Sequence, residues 1–221
     1  MANPPTYGRH LVTENAQLGF SSIAPAFWRT AEKLRDKAVK QTAKQSQPTH
    51  WTIHSAICLY HAALDCFINE EITLRGALTG APLANGYQIQ GMTLRAEKLD
   101  GFFSCCGLAG KQAIEVQRRT LLLTGLRNRL SHHWPEMRDI RDYPVQVIDA
   151  LNDAHIERVN TSWTAQCSDV RLAKWAAEIV RAFVDEWWRI GRAPDAMDRA
   201  HWEFGLDWVY PSDQPVPKPN G

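Results

Sequence analysis

The chain has 221 residues, of which 44% are hydrophobic, and its formal net charge is +1 from 25 basic and 24 acidic side chains. This length and hydrophobic content predict one large domain with a buried core. The near-zero charge excludes a uniformly basic surface, so any RNA contact must come from a local basic patch.

Three features of the sequence indicate the compartment. No apolar run reaches the roughly 18 residues that a membrane-spanning helix needs. The first residues lack the charged segment and apolar stretch of a signal peptide. The five cysteines are odd in number and lack framework spacing, which is typical of a reducing environment. We therefore expect a cytoplasmic protein with no membrane partner.

The N-terminal region is predicted to be a loose segment over residues 1–14, followed by a helix over 23–44. Pro25 is compatible with the first turn of that helix, and Phe27, Leu34 and Ala38 form its apolar stripe. The second half of the helix is basic, with Lys33, Arg35, Lys37, Lys40 and Lys44. This basic face is either a solvated surface or an edge that contacts phosphates.

A long helix is predicted from residue 50 to about residue 78, with Thr49 as its N-cap. Its apolar stripe consists of Ile53, Ile57, Tyr60, Leu64 and Phe67. A second stripe carries His54, Cys58, His61 and Asp65, which are residue types that bind zinc. One ion cannot reach all four, because they extend over about 16 Å of helix. The alternatives are an interface or a polar stripe in the core.

The remaining pattern predicts a helical chain without a strand of useful length. Further helices are expected over 93–106, 111–133, 144–156 and 169–190, the last with Ser168 as its N-cap. The buried stripe of the last helix is Val170, Ala173, Ala177, Val180, Val184 and Trp187. We expect an all-α helical bundle over residues 15–194 and an aromatic, proline-rich tail over 195–221 that docks on the bundle or on a second copy.

The end of the helix over 111–133 combines an apolar face with a dense polar cluster. The cluster consists of Arg127, Asn128, Arg129, Ser131, His132 and His133, and Pro135 ends the helix near His133. Residues four apart share a face, as Arg127 and Ser131 do. Arg127 and His132 are five apart, roughly 140° around a regular helix. Their convergence requires an unwound last turn or a second copy of the chain.

An arginine that holds a phosphate and a histidine that moves a proton are sufficient to cleave RNA without a metal ion. The 2′-hydroxyl group of RNA is the nucleophile, so the protein needs only to position the substrate, transfer protons and stabilise charge. The sequence therefore favours a ribonuclease site at this helix end.

Two segments carry a resemblance to a known family. Arg127-Asn128-x-x-x-His132 resembles the Arg-x4-6-His motif of the HEPN superfamily (higher eukaryotes and prokaryotes nucleotide-binding domain). Residues 62–72, where Asp65 lies four before Asn69, resemble the second signature of that family on the preceding helix. The two signatures cover about residues 50 to 135. The resemblance implies an all-α bundle that forms a homodimer, with the motifs facing each other across a cleft at the interface.

Many members of this family are metal-independent endoribonucleases of toxin–antitoxin, phage-defence or CRISPR-linked systems. The resemblance implies that His132 is the general base or acid, that Arg127 stabilises the phosphate and that Asn128 holds the motif turn or the phosphate. Asp65 would orient a cation, although it replaces a more usual glutamate and has a shorter reach. Further substrate contacts are expected from Arg129, His133, Ser131, His61 and Asn69.

The expected partners are RNA, a second copy of the chain, and an antitoxin or defence-system protein. We expect no metal and no other cofactor, and a product that carries a 2′,3′-cyclic phosphate. The alternative is a non-catalytic HEPN module for dimerisation and partner or nucleotide binding. In that case Arg127, Asn128 and His132 brace the bundle through hydrogen bonds to helix carbonyls.

Overall fold

The computed structural model describes residues 8–13, 16–21, 23–44, 50–79, 94–131 and 142–187, without the side chains of 8–21, 73–79 and 105. In these ranges a two-stranded hairpin precedes seven helices, and the predicted all-α class is confirmed. The elements are β1 (Gly8–Thr13), β2 (Ala16–Ser21), α1 (Ala24–Ala43), α2 (His50–Thr79), α3 (Ala96–Cys106), α4 (Lys111–Ser131), α5 (Val145–Asp153), α6 (Trp163–Gln166) and α7 (Val170–Glu186).

The hairpin pairs β1 with β2 in antiparallel register, with Leu11 opposite Leu18. The sequence pattern did not reveal these strands. Glu14 and Asn15, which separate them, lack the glycine that usually marks a two-residue hairpin connection. Residues 8–13 fall inside the segment that was expected to be loose, whereas residues 1–7 lie outside the described part of the chain.

Helix α2 is the centre of the bundle, because α1, α4 and α7 all pack against it. Its predicted apolar stripe is confirmed, since all five side chains from Ile53 to Phe67 are fully buried. Buried residues also occupy other sides of the helix, including Ala63 and Ile68. A helix that is apolar on most sides belongs in the interior, which explains why α2 contacts three partners. Within the described residues, no helix is both long and apolar enough to cross a membrane.

An aromatic cluster fixes α3 against α2 and α7. The ring centroids of Phe102 and Phe183 lie 5.5 Å apart in a stacked arrangement, and those of Phe67 and Trp187 lie 5.1 Å apart. Such pairs contribute about 1 kcal/mol each beyond the burial of their area. The cluster anchors one face of α3 on α7.

The helix boundaries correct several expectations. The N-cap of α7 is Asp169, whose side chain accepts a hydrogen bond from the backbone N–H of Arg171 at 2.9 Å, so the prediction of Ser168 was wrong. Ser168 Oγ instead donates to the carbonyl oxygen of Thr164 at 3.2 Å. Helix α3 begins at Ala96 rather than at 93, and α5 ends at Asp153. The short helix α6 was not predicted. Thr49 and the tail over 195–221 lie outside the described residues.

Helix α1 takes its N-terminal cap from a distant part of the chain. The Glu70 carboxylate on α2 accepts hydrogen bonds from the backbone N–H groups of Ile23 at 2.8 Å and Ala24 at 3.2 Å. Glu70 is buried, and a carboxylate at a helix N-terminus is stabilised by the helix dipole. This contact fixes the start of α1 on α2.

Candidate functional site

Helices α2 and α4 contact each other through polar residues that the sequence analysis selected. The Cys58 sulfur lies 3.6 Å from the Ser131 hydroxyl oxygen. Arg127 lies one turn before Ser131 on α4. Its guanidinium acts electrostatically on His61, which lies almost one turn after Cys58 on α2. The two helices therefore run antiparallel at this contact, because a later residue on α2 lies beside an earlier residue on α4.

His61 is a neutral, buried imidazole at the centre of this contact. Its side chain is 4% exposed, and no described residue hydrogen-bonds its Nε2 atom. Burial lowers the pKa of His61 to about 4, and the positive charges of Arg127 and Lys98 add to this while Asp65 opposes it. At neutral pH the ring therefore carries no charge and adds no repulsion to the neighbouring cations.

Asp65 is held by a lysine that the sequence analysis did not select. The Lys98 Nζ atom lies 2.5 Å from Asp65 Oδ1, and the Lys98 side chain is fully buried whereas that of Asp65 is 31% exposed. The carboxylate was expected to orient Arg127 or His132, but the partner that the structure gives it is Lys98. The signal for Lys98 was its position on α3, four residues after the buried Leu94 and four before the buried Phe102. A lysine on an apolar stripe implies a buried acidic partner.

Arg127 reaches the same contact from α4 and remains without an acidic partner in the described part of the chain. Its Nη1 atom donates a 2.9 Å hydrogen bond to Oδ1 of the neighbouring Asn128, which is exposed. An amide oxygen orients the guanidinium without neutralising it. An arginine in this state presents the remaining N–H donors of a planar fork to an anion, and phosphate matches that geometry.

The other predicted residues take different positions. The guanidinium of Arg129 lies 5.6 Å from the centre of the Trp163 ring, so this side chain extends toward α6 rather than toward α2. Asn69 is half-buried on α2, one turn beyond Asp65. The structure thus brings together His61, Asp65, Arg127 and Ser131, and it directs Arg129 elsewhere. His132 and His133 lie outside the described residues.

A metal ion has no visible site in the described regions. No three histidine, cysteine, aspartate or glutamate side chains there are close enough together to hold one. In the predicted stripe on α2, Cys58 contacts Ser131 of α4 and Asp65 pairs with Lys98 of α3, so these two positions form a polar interface, which was one of the alternatives from the sequence.

A second concave surface, a cleft of about 720 Å³ among α4, α5 and α7, contains several cations that are already paired. Asp153 accepts hydrogen bonds from Arg118, from Arg119 at 2.8 Å and from the indole nitrogen of Trp175 at 2.7 Å. Arg171 forms a two-pronged pair with Asp169. The three arginines of this cleft are paired with carboxylates, in contrast to Arg127.

The contact between α2 and α4 combines a buried neutral imidazole, a hydroxyl group and a guanidinium that pairs with no carboxylate of the described residues. This combination is suited to an anion such as a phosphodiester. The sequence matches no family model and has no significant match among curated proteins or solved structures, so a functional assignment rests on this geometry and on the two sequence motifs.

Proposed function

We propose that the protein is a metal-independent endoribonuclease of the HEPN type, and the observation that carries the proposal is that Arg127, beside the polar face of α2, has no acidic partner among the described residues. The segment with Asp65 and Asn69 lies on α2, and residues 127–131 of the motif segment lie at the end of α4. The contact between Cys58 and Ser131 brings the helices together at the level of the motif. This arrangement supports a site in which residues of α2 and of the end of α4 act on one phosphate.

The proposed reaction is transesterification by the 2′-hydroxyl group of RNA. His132 acts as general base and takes the proton of this hydroxyl, or acts as general acid and protonates the leaving 5′-oxygen. The bond from the 2′-oxygen to phosphorus forms while the bond to the 5′-oxygen breaks. Arg127 stabilises the negative charge that develops on the phosphate oxygens, and Asn128 holds Arg127. The products carry a 2′,3′-cyclic phosphate and a 5′-hydroxyl.

We further propose that the active form is a homodimer. Arg127 and His132 are five residues apart, and on one regular helix their side chains diverge by roughly 140°. A second copy that contributes the other group resolves this divergence. An antitoxin or a defence-system protein is the proposed regulator of such an enzyme, because uncontrolled RNA cleavage harms the cell that makes it.

One observation favours the alternative of a non-catalytic HEPN module. His61 is almost fully buried and Asp65 is engaged by Lys98, so one residue chosen for the site is closed to a substrate and another already has a partner within the protein. In a module for dimerisation and nucleotide binding, Arg127 binds a phosphate of the ligand without cleaving it. The two functions are distinguished by whether the protein cleaves RNA.

The test is the incubation of a mixed RNA pool with the protein in EDTA, followed by analysis of the product ends. The variants are wild type, His132→Ala and, as a matched control, His155→Asn on the exposed turn after α5. We expect cleavage by wild type and the control, with 2′,3′-cyclic phosphate ends, and none by His132→Ala. No cleavage by a folded wild-type dimer favours the binding module, and equal cleavage by all three variants contradicts the proposed site.

A further inference from the structure

We infer that the protein binds single-stranded RNA along a basic row on α1 that leads to the exposed indole of Trp51. The basic row consists of Lys33, Lys37, Lys40 and Lys44. The inference rests on the proposed function for the identity of the strand as RNA. It adds a binding surface that lies outside both motif segments.

The four lysines share one narrow face of the helix. Three of them lie on α1, Lys44 is its C-cap, and all four side chains are exposed. Their spacing of four, three and four residues keeps them within roughly 60° around a helix of 3.6 residues per turn. The fully buried Ala31 lies on the opposite face of α1, so the basic row points away from the core.

The acidic side chains of α1 are engaged elsewhere. Its two carboxylates are Glu32 and Asp36, and both pair with Arg35, at 2.6 Å and 2.8 Å. Glu32 also accepts a hydrogen bond from the Tyr60 hydroxyl group of α2. No lysine of the basic row forms an ion pair within the described residues. The row therefore presents four ammonium groups to the solvent.

The length and spacing of the basic row fit the backbone of one nucleic-acid strand. Eleven residues separate Lys33 from Lys44, which is about 16 Å along a helix. A stacked strand carries one phosphate for about every 3.4 Å of its axis, so the row spans about five phosphates. Neighbouring lysines are roughly 4.5 to 6 Å apart along the helix axis, so each can contact a different phosphate.

Trp51 lies close to the Lys44 end of the basic row. Five residues connect Lys44 to His50, and Thr42 and His50 line the same concave surface, so the end of α1 lies beside the start of α2. The Trp51 side chain is 79% exposed and makes no ring contact with another described residue. Proteins that bind single strands combine a basic track for the backbone with aromatic side chains on which bases stack. The basic row and Trp51 supply these two parts.

An anionic membrane fits this surface less well than RNA does. A helix that binds a membrane surface inserts its apolar face among the lipids. The apolar face of α1 is buried in the core, where Trp28 packs against Tyr60 with ring centroids 5.1 Å apart. We therefore assign the basic row to RNA and include vesicles in the test.

The experiment measures binding by fluorescence anisotropy with a short labelled RNA strand whose 2′-hydroxyls are methylated, so that it cannot be cleaved. One variant replaces all four lysines of the basic row by glutamine, which is a good helix former. Its control has the same net charge, because four exposed basic residues outside α1 are replaced by glutamine. These four residues are Arg95, Lys111, Arg158 and Lys174.

The salt dependence of binding reports the loss of phosphate contacts. For single strands, each contact contributes about 0.7 to the slope of the logarithm of affinity against the logarithm of salt concentration. We expect the slope to decrease by about 2.8 in the variant of the basic row and by less than about 0.7 in the control. An equal decrease in both variants refutes the row, because it indicates attraction by net charge alone.

The contribution of Trp51 has a different signature. Stacking is not an ionic contact, so Trp51→Ala should weaken binding about 5- to 150-fold and leave the slope at the wild-type value. Ile114→Ala removes another exposed apolar side chain, which is 65% exposed, and should bind as wild type does. Wild-type affinity in Trp51→Ala refutes the stacking role.

The inference and the proposed function can fail separately. If wild type does not bind the methylated strand, the inference is wrong, and binding to vesicles of phosphatidylserine would then assign the basic row to a membrane. If the variant of the basic row keeps the wild-type slope, the inference is also wrong. If the row variant loses the slope but wild type does not cleave RNA in EDTA, the RNA-binding surface is supported and the ribonuclease function is wrong.

Discussion

His61 illustrates how burial sets the charge of a single residue at the α2–α4 contact. The sequence identified this histidine as a member of a polar stripe, and the structure buries it beside two cations. Burial and the two positive charges both lower the pKa of His61, so the ring is neutral at physiological pH. The folded protein therefore binds a proton at His61 less readily than the unfolded chain does.

We predict that His61 makes the stability depend on pH in a defined window. The unfolded histidine takes up a proton below about pH 6.5, whereas the folded one does so only near pH 4. The unfolded state binds more protons between these values, so the free energy of unfolding falls as the pH is lowered, by at most about 3 kcal/mol. Urea unfolding at about pH 7 and pH 5 measures this loss.

The matched controls for this prediction are His61→Leu and His155→Asn. The first removes the titrating group and should make the stability less sensitive to pH, whereas the second should behave as wild type. His155 has a positive φ of 53°, and asparagine tolerates this conformation. If the stability of His61→Leu depends on pH as strongly as that of wild type, the His61 ring is not a buried neutral group in the folded protein.

The pairing of Lys98 with Asp65 could not be predicted from the sequence. Asp65, His61 and Arg127 were selected because their types and spacing fit a known motif. Lys98 belongs to no motif, and its spacing from Leu94 and Phe102 indicates a buried lysine without indicating which acidic residue it pairs with. Its importance arises from a contact with Asp65 across 33 positions of the chain, and no local pattern encodes that pairing.

At the level of helices, periodicity predicted most of the described structure. The apolar stripe of α2 is buried as expected, and so is that of α7 except for the half-buried Val170, because the helical repeat places residues three and four apart on one face. The four-residue helix α6 was missed because it is too short to show a repeat. The Ser162 side chain caps it by accepting a hydrogen bond from the Ala165 backbone N–H, so the cap was its only local signal.

The antiparallel contact between α2 and α4 leads to a second prediction. Ser131→Cys places a thiol close to Cys58, since the present sulfur–oxygen distance is 3.6 Å. Under mild oxidation we expect a disulfide between positions 58 and 131, detectable as a linked peptide pair by mass spectrometry. Asn128→Cys, at an exposed position on the same helix, is the control and should remain a free thiol. A link from 128 instead of 131 would contradict the register of the two helices.

For the molecule as a whole, one carboxylate joins the three helices α4, α5 and α7. Asp153 ends α5 and accepts hydrogen bonds from two arginines of α4 and from Trp175 of α7. Burial alone would raise the pKa of Asp153, but hydrogen bonds from Trp175, Arg118 and Arg119 outweigh it and lower the pKa below its ordinary value. The ionised carboxylate thus stabilises the packing of this half of the bundle.

We predict that Asp153→Ala lowers the free energy of unfolding by about 2–3 kcal/mol, because the indole N–H and the Arg119 guanidinium lose their acceptor. Asp149→Ala, at an exposed position one turn earlier on α5, should change it by less than about 0.5 kcal/mol. Urea unfolding of both variants gives the comparison. Equal effects would mean that the Asp153 network does not stabilise the packing of α4, α5 and α7.

The function proposed for the molecule depends on the difference between two arginines of α4. Arg118 is paired with Glu115 and Asp153, whereas within the described part of the chain Arg127 has only the amide oxygen of Asn128. The sequence motif singled out Arg127, but the state of its charge depends on how α2, α3 and α4 pack.

The most direct measurement is therefore the single-turnover rate of RNA cleavage in EDTA for Arg127→Ala and Arg118→Ala. We predict that Arg127→Ala lowers the rate about 10²- to 10³-fold, as expected for the loss of a group that stabilises the transition-state charge. Arg118→Ala should stay within a few-fold of wild type. Equal rates for Arg127→Ala and wild type, from folded proteins, would contradict a phosphate site at the α2–α4 contact.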